Sequence, residues 1–393
     1  MVAVRGILGQ KKALATVDRL IDRGKRGQAI LFTGPAGIGK FALALYTARR
    51  FLCLSRHVTS ESTSGRNGQS ACGTCFSCRS IARLNHPDLL LVFPFPNLAG
   101  ESKRNTVFHF SNPSSSDAMF SEETQNEVQR FLEEKSADPY QIVAFKKKAN
   151  IPVSVVKDLI KALTKRPAAG DRRAVVVCDI EQMAFGAADL FLKTVEEPPE
   201  DSLVILTTSK PHLLLPTLLS RTLRIALSPV AEELVRDYLE EKDVDGDVDF
   251  YVRYSFLSPG LALKAYSEDI RSQRDEMWQI LSKFIKTRFL PETIEEIRRR
   301  YPFGGAYEDA RNDFELLERL LRDIYVVKMG LETELVNIDI KNEIISCARS
   351  APPAEILRKW SAALAKASRV HGVNNVFADT AFVGAFIEFD RAG

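Results

Sequence analysis

The sequence predicts an α/β fold built on a parallel sheet, followed by two helical regions. Three observations carry this. Short apolar runs recur along the first half: AILF at 29–32, DLLLVF at 88–93, AVVVCD at 174–179, LVILTTS at 203–209 and RTLRIAL at 221–227. Runs of this kind belong to strands covered on both faces. Stretches with helical spacing lie between them, the alternation that builds parallel sheets. After Pro229 the strand-like runs stop and helix follows helix.

Taken in order, residues 8–28 are predicted as a helix ending near Gly24 to Gly27, and AILF as the first strand. FALALYTARRFLCL (41–54) contains neither Gly nor Pro and is expected to be helical. The Ser/Thr/Gly-rich stretch 55–71 is read as a flexible excursion. Residues 96–148 show no steady period and are read as an insertion, partly helical around 121–135. IPVSVVKDLIKALTKRP (151–167) is an amphipathic helix with Val155, Leu159, Ile160 and Leu163 on one side. MAFGAADLFLKTVEE (183–197) is predicted as a helix stopped by Pro198 and Pro199. These elements divide the chain into a core at 1–228, a small helical unit at 229–268 and a helical region at 269–393. Breaks in the last fall near Pro291, Gly304 to Gly305 and Pro352 to Pro353. No internal repeat is present.

Bulk composition narrows the classes. The 393 residues carry 54 basic and 51 acidic side chains, a net charge of +3, too balanced to identify a nucleic-acid partner. Basic clusters at Lys146 to Lys148 and Arg298 to Arg300 read first as solvated faces. No apolar run approaches the ~20 residues that span a bilayer. The opening MVAVRGILGQKKAL lacks the charged-then-apolar layout of a secretion signal. A cytoplasmic protein without membrane contact is expected. Six cysteines stand at 53, 72, 75, 78, 178 and 347, and in a reducing compartment a tight cluster suggests metal before disulfide.

GPAGIGK, from Gly34 to Lys40, fits G-x-x-x-x-G-K between a predicted strand and helix, the context a phosphate-binding loop requires. Gly34, Gly37 and Gly39 would let backbone N–H groups close around phosphate oxygens, and Lys40 would reach the outer phosphates. The next residue normally supplies a hydroxyl to Mg²⁺; here it is Phe41, which has no oxygen. AVVVCD ends in Asp179, a carboxylate suited to the magnesium side, or else a cap for the following turn. Hydrolysing proteins of this type place a glutamate directly after it to orient water; here that residue is Ile180. Glu181, one residue on in an extended chain, is expected to point elsewhere.

The chain resembles the delta-prime subunits of the bacterial DNA polymerase III clamp loader, members of the AAA+ group related to gamma/tau. GILGQKKAL, LFTGPAGIGK, the C-x-x-C-x-x-C run followed by NHPDLLLV, DLFLKTVEEPPEDSLVILTTS and LLPTLLSRTLRI carry the resemblance. LLRDIYVVKMG and NNVFADTAFVGAFI look like the C-terminal collar helices. Only 55–71 and 96–148 fall outside it. The resemblance implies an AAA+ core (zinc module at 53–78), a helical lid at 229–268 and a helical collar that joins subunits. It makes Arg221, in Ser220-Arg221-Thr222, an arginine finger acting in trans on a neighbour's ATP; the bland alternative is a local salt bridge. Thr222 replaces the family's cysteine. It also makes Cys53 the fourth ligand beside Cys72, Cys75 and Cys78 of a structural Zn site. His57 is a weaker candidate for that place, and an iron–sulfur cluster a minor alternative. Cys178 and Cys347 are expected in cores.

FLSPGLAL (256–263) lacks the arginine with which active relatives touch the γ-phosphate. With Phe41 and Ile180, this implies a non-hydrolysing component of the DNA polymerase III holoenzyme. Its implied partners are gamma/tau and delta subunits, the beta sliding clamp and primer-template DNA. Whether the cradle holds ATP or ADP is left open. Two rivals remain: an active gamma/tau-type ATPase, and a zinc-bearing nucleic-acid-binding module.

Overall fold

The computed structural model describes residues 6–23, 27–55, 71–96, 122–145, 149–302, 307–374 and 376–392. His57, most of the 55–71 excursion, residues 97–121 of the insertion and Lys146 to Lys148 lie outside the described residues. The chain forms two compact units, residues 1–242 with 257–264, and residues 243–256 with 265–393.

The first unit opens with α1 (Lys11–Asp22), β1 (Gln28–Thr33), α2 (Lys40–Leu52) and α3 (Phe76–Ala82). After β2 (Leu89–Val92) come β3 (Phe95–Pro96), α4 (Glu122–Ala137), β4 (Ala149–Asn150) and α5 (Val153–Leu163). It continues through β5 (Arg173–Val177), α6 (Ala187–Glu196), β6 (Ser202–Thr208), α7 (Pro216–Arg221), β7 (Leu223–Ala226) and α8 (Glu232–Glu240). Five strands form one parallel sheet in the order β2-β5-β6-β1-β7. Ile30 of β1 lies in register with Ile205 on one side and Leu223 on the other. Every residue of β2, β5 and β6 is buried, which is why these strands read as unbroken apolar runs. β7 is one of the two edges, and Leu223 there is 44% exposed.

Two features differ from the sequence expectation. The helix expected from 183 begins at Ala187, because Gly186 takes φ 79° and a single 3-10 turn occupies Ile180–Gln182. The insertion is tied at its base by β3 and β4, which pair antiparallel through Phe95 with Asn150 and Pro96 with Ala149. Beyond them Phe93, Phe131 of α4 and Phe145 stack on one another, the first two at 4.1 Å between ring centres.

The second unit contains α9 (Val248–Tyr254), which groups with it, and the helices that follow α10 (Pro259–Ser267). These are α11 (Ile270–Thr287), α12 (Leu290–Arg300), α13 (Tyr307–Lys328), α14 (Lys341–Ser350), α15 (Ala354–Asn374) and α16 (Ala378–Ala392). Its core is aromatic: Phe284, Trp360, Phe386 and Phe389 cluster, and Tyr301, Phe314 and Phe382 stack face to face. Arg300, one of the basic cluster at 298–300, is engaged inside this unit by Asp313 and Glu276. Among the described residues no helix is long and apolar enough to cross a membrane.

Candidate nucleotide cradle, arginine edge and metal centre

The loops that follow β1, β5 and β6 meet at the carboxyl ends of the strands, where open parallel sheets place their ligands. The glycine loop turns at Gly37 and Gly39, with φ of 72° and 105°, conformations that a side chain rarely adopts. Lys40 is buried at the start of α2 and bends back on its own loop. Its Nζ donates to the carbonyls of Gly34 at 2.9 Å and Pro35 at 2.7 Å and to Ser209 Oγ at 2.9 Å. Burial lowers its pKa to about 8, against the opposing pull of Asp179 and Glu181.

Asp179 takes φ 47° and its side chain forms no capping bond to the turn that follows, so the capping role weighed for it is not what the fold uses. Burial raises its pKa, as does Glu181, while Lys40 and Lys135 oppose the rise. Glu181 does not point away. The left-handed backbone at Asp179 and the 3-10 turn after it replace the extended path assumed from the sequence. Glu181 therefore returns to the loop, where its Oε1 accepts the Ser209 N–H at 3.0 Å. Ser209 thus joins Glu181 to Lys40. Ile180 is buried.

Phe41 is also buried, at 8% exposure. A cation from α4 lies over its ring: Lys135 Nζ stands 5.0 Å from the ring centre. An aromatic ring beside an ammonium is a cation–π pair, and it offers no oxygen to magnesium. Lys135, Tyr140 and Ser209 were not singled out by sequence reasoning. No local pattern relates position 135 or 140 to position 41.

Arg221 ends α7, its side chain 35% exposed. Its Nε lies 3.0 Å from Glu196 Oε2 of α6, and its Nη1 donates to Thr217 O at 3.1 Å. Leu223, two residues on in the edge strand β7, is also exposed.

Cys53, at the end of α2, meets Cys72, Cys75 and Cys78 from the next turn and α3. All four sulfurs lie within 4.8 Å of one another. Cys53–Cys72, Cys53–Cys75 and Cys72–Cys78 are separated by 3.6, 4.0 and 3.9 Å. Four thiolates bound at ~2.3 Å to one tetrahedral ion stand ~3.8 Å apart, so the donor set fits a single metal ion. A cluster of two or four irons divides the four thiolates among separate irons and would spread them further. Burial raises Cys53 and Cys78, whereas Cys72 is lowered to about 5, its burial outweighed by N–H donors of Cys75 and Thr74. Holding all four as thiolates takes a cation. Cys178 and Cys347 are buried core residues, as expected. NHPD serves the frame: His86 Nδ1 accepts the Asp88 N–H, and Asp88 receives the N–H groups of Ala168 and Ala169.

Fold and site together define a P-loop α/β domain with an apolar magnesium-hydroxyl position, a four-cysteine centre and an arginine on its sheet edge. The chain belongs to the family described as DNA polymerase III, delta subunit, whose profile matches residues 9–231. It is 23% identical over 376 residues to DNA polymerase III subunit delta' of Bacillus subtilis, covering 93% of this chain and 92% of that protein. The delta' subunit of Escherichia coli is 23% identical over 336 residues, 85% of this chain and 80% of its own. The tau subunit of Escherichia coli aligns at 23% over 234 residues, 60% of this chain but only 27% of tau.

Proposed function

We propose that this chain is a stationary, non-hydrolysing subunit of a bacterial replicative clamp loader, set in a ring with gamma/tau and delta subunits. Its work is to supply Arg221 to ATP held by a neighbour, so that the assembly opens the beta clamp and places it on primer-template DNA in the cytoplasm. The observation that carries this reading is the buried Phe41 beside Lys135 in a delta'-family chain. Magnesium has no hydroxyl there, while Arg221 is partly exposed at the end of α7. A guanidinium suits that task because its planar, permanently charged fork meets charge developing on phosphate oxygens. Cys53, Cys72, Cys75 and Cys78 hold structural zinc. With four thiolates bound, no position is left for a reacting water. Residues 229–268 act as the lid and 269–393 as the collar that joins the ring.

ATP turnover by the purified, zinc-loaded chain in magnesium tests the reading against a gamma/tau-type motor. No turnover is expected. Turnover that Lys40→Ala abolishes would contradict it. Salt-sensitive DNA binding by the isolated chain, without assembly with gamma/tau, would instead favour the nucleic-acid-binding module.

A further inference from the structure

The stationary-subunit role leaves the insertion between β2 and α5 unused. Its described part is α4 and the loop to Phe145, and it is firmly placed. Phe131 and Phe145 stack with Phe93 at the end of the sheet, and β3 and β4 close its base. From this anchor α4 runs across the carboxyl edge of the strands.

Two side chains then enter the cradle. Lys135 places its ammonium 5.0 Å from the Phe41 ring and 6.0 Å from that of Phe131, and donates to Gln141 O at 2.5 Å. Burial lowers its pKa, and Cys178, Asp179, Asp138 and Glu134 oppose that fall; it therefore shares the field of Asp179 with Lys40. Tyr140 is wedged between the glycine loop and the segment after Leu257. A methyl group placed on Gly39 would lie 2.6 Å from the Tyr140 ring, and one on Gly260 would lie 2.0 Å from the Tyr140 carbonyl oxygen. The Tyr140 hydroxyl accepts the Leu8 N–H at 2.7 Å.

Asp138 fastens this wedge. It accepts the Tyr140 N–H at 3.0 Å and the Tyr238 hydroxyl at 2.8 Å, and pairs with Lys242. The far wall is fastened too, since Gly260 N donates to Gly37 O at 3.1 Å and Ser258 Oγ to Ala36 O at 2.7 Å. A nucleotide entering between Gly39 and Gly260 would have to displace Tyr140 and break these bonds.

We propose that residues 135–141 are a built-in occupant of the cradle, with Lys135 as the cation over the Phe41 ring and Tyr140 filling the space between Gly39 and Gly260. The chain therefore excludes ATP and ADP instead of binding them without turnover. This goes beyond the stationary-subunit role, which stands with or without bound nucleotide. An intramolecular occupant competes at high effective concentration, and apparent affinity for a rival falls by the fraction of time the site is open.

The test uses the full chain and a methylanthraniloyl-labelled ADP or ATP with magnesium, read by fluorescence anisotropy. The native chain is expected to show no saturable binding. Lys135→Ala combined with Tyr140→Ala, with its fold checked by circular dichroism and thermal unfolding, is expected to bind at least about tenfold tighter than the native chain. Phe41→Thr alone is expected to gain nothing. Saturable binding by the native chain overturns the proposal, as does a folded double variant that gains no affinity. Should the double variant not fold, amide hydrogen exchange of the native chain decides. Exchange at Leu8 and across Gly34 to Phe41 unchanged by added magnesium nucleotide is expected, and saturable new protection there overturns the proposal.

Discussion

Lys40 is held by three oxygens, yet burial dominates its titration and lowers it to about 8 from the usual 10.5. Between those values the unfolded chain still carries a proton that the folded chain has released, so this group adds stability as pH rises. Chemical denaturation should show native stability gaining on that of Lys40→Met between about pH 8 and about pH 10.5. A difference that does not change with pH would count against the burial. The cysteines make a second residue-scale contrast. Cys72→Ser should lose about one equivalent of zinc and more than about 3 kcal/mol of stability, whereas Cys178→Ser should keep its metal. Metal analysis beside denaturation checks both. The glycine loop and the run Cys72, Cys75 and Cys78 were legible because their spacing is local in the chain, whereas Cys53, 19 residues before Cys72, was reached only through the family resemblance. Glu181 was misread because alternation holds only in extended backbone, and φ 47° at Asp179 breaks it.

The strands were the most legible elements. A strand buried on both faces has no polar side to interrupt it, so β2, β5 and β6 stood out. The start of α6 was less so, because Gly186 could be read as a helical residue until its left-handed backbone was seen. The insertion was least legible: its anchoring comes from Phe93, Phe131 and Phe145, far apart in sequence. In the second unit helix packing rests on large aromatic rings. Trp360 is fully buried, stacks on Phe389 at 4.8 Å and donates to the Phe389 carbonyl. Trp360→Ala should cost about 3–5 kcal/mol in urea denaturation. A loss under about 1 kcal/mol would mean that this cluster does not hold α15 to α16.

At the scale of the whole molecule the proposed division of labour is between a cradle that does no chemistry and an edge that does. Arg221 is held by Glu196, but both partners are partly exposed, and such surface pairs are worth only about 0–1 kcal/mol. That hold is weak enough to yield to a phosphate on a neighbouring subunit. The most direct measurement is ATP turnover by the complex reconstituted with gamma/tau and delta, comparing Arg221→Ala with the native chain. An arginine finger contributes ~10³–10⁵ in turnover at the site it serves, so the adjoining site should fall silent while assembly is unchanged. Arg221→Lys should not restore it, because lysine lacks the planar fork. A fully assembled Arg221→Ala complex that turns over ATP at the native rate would contradict the account.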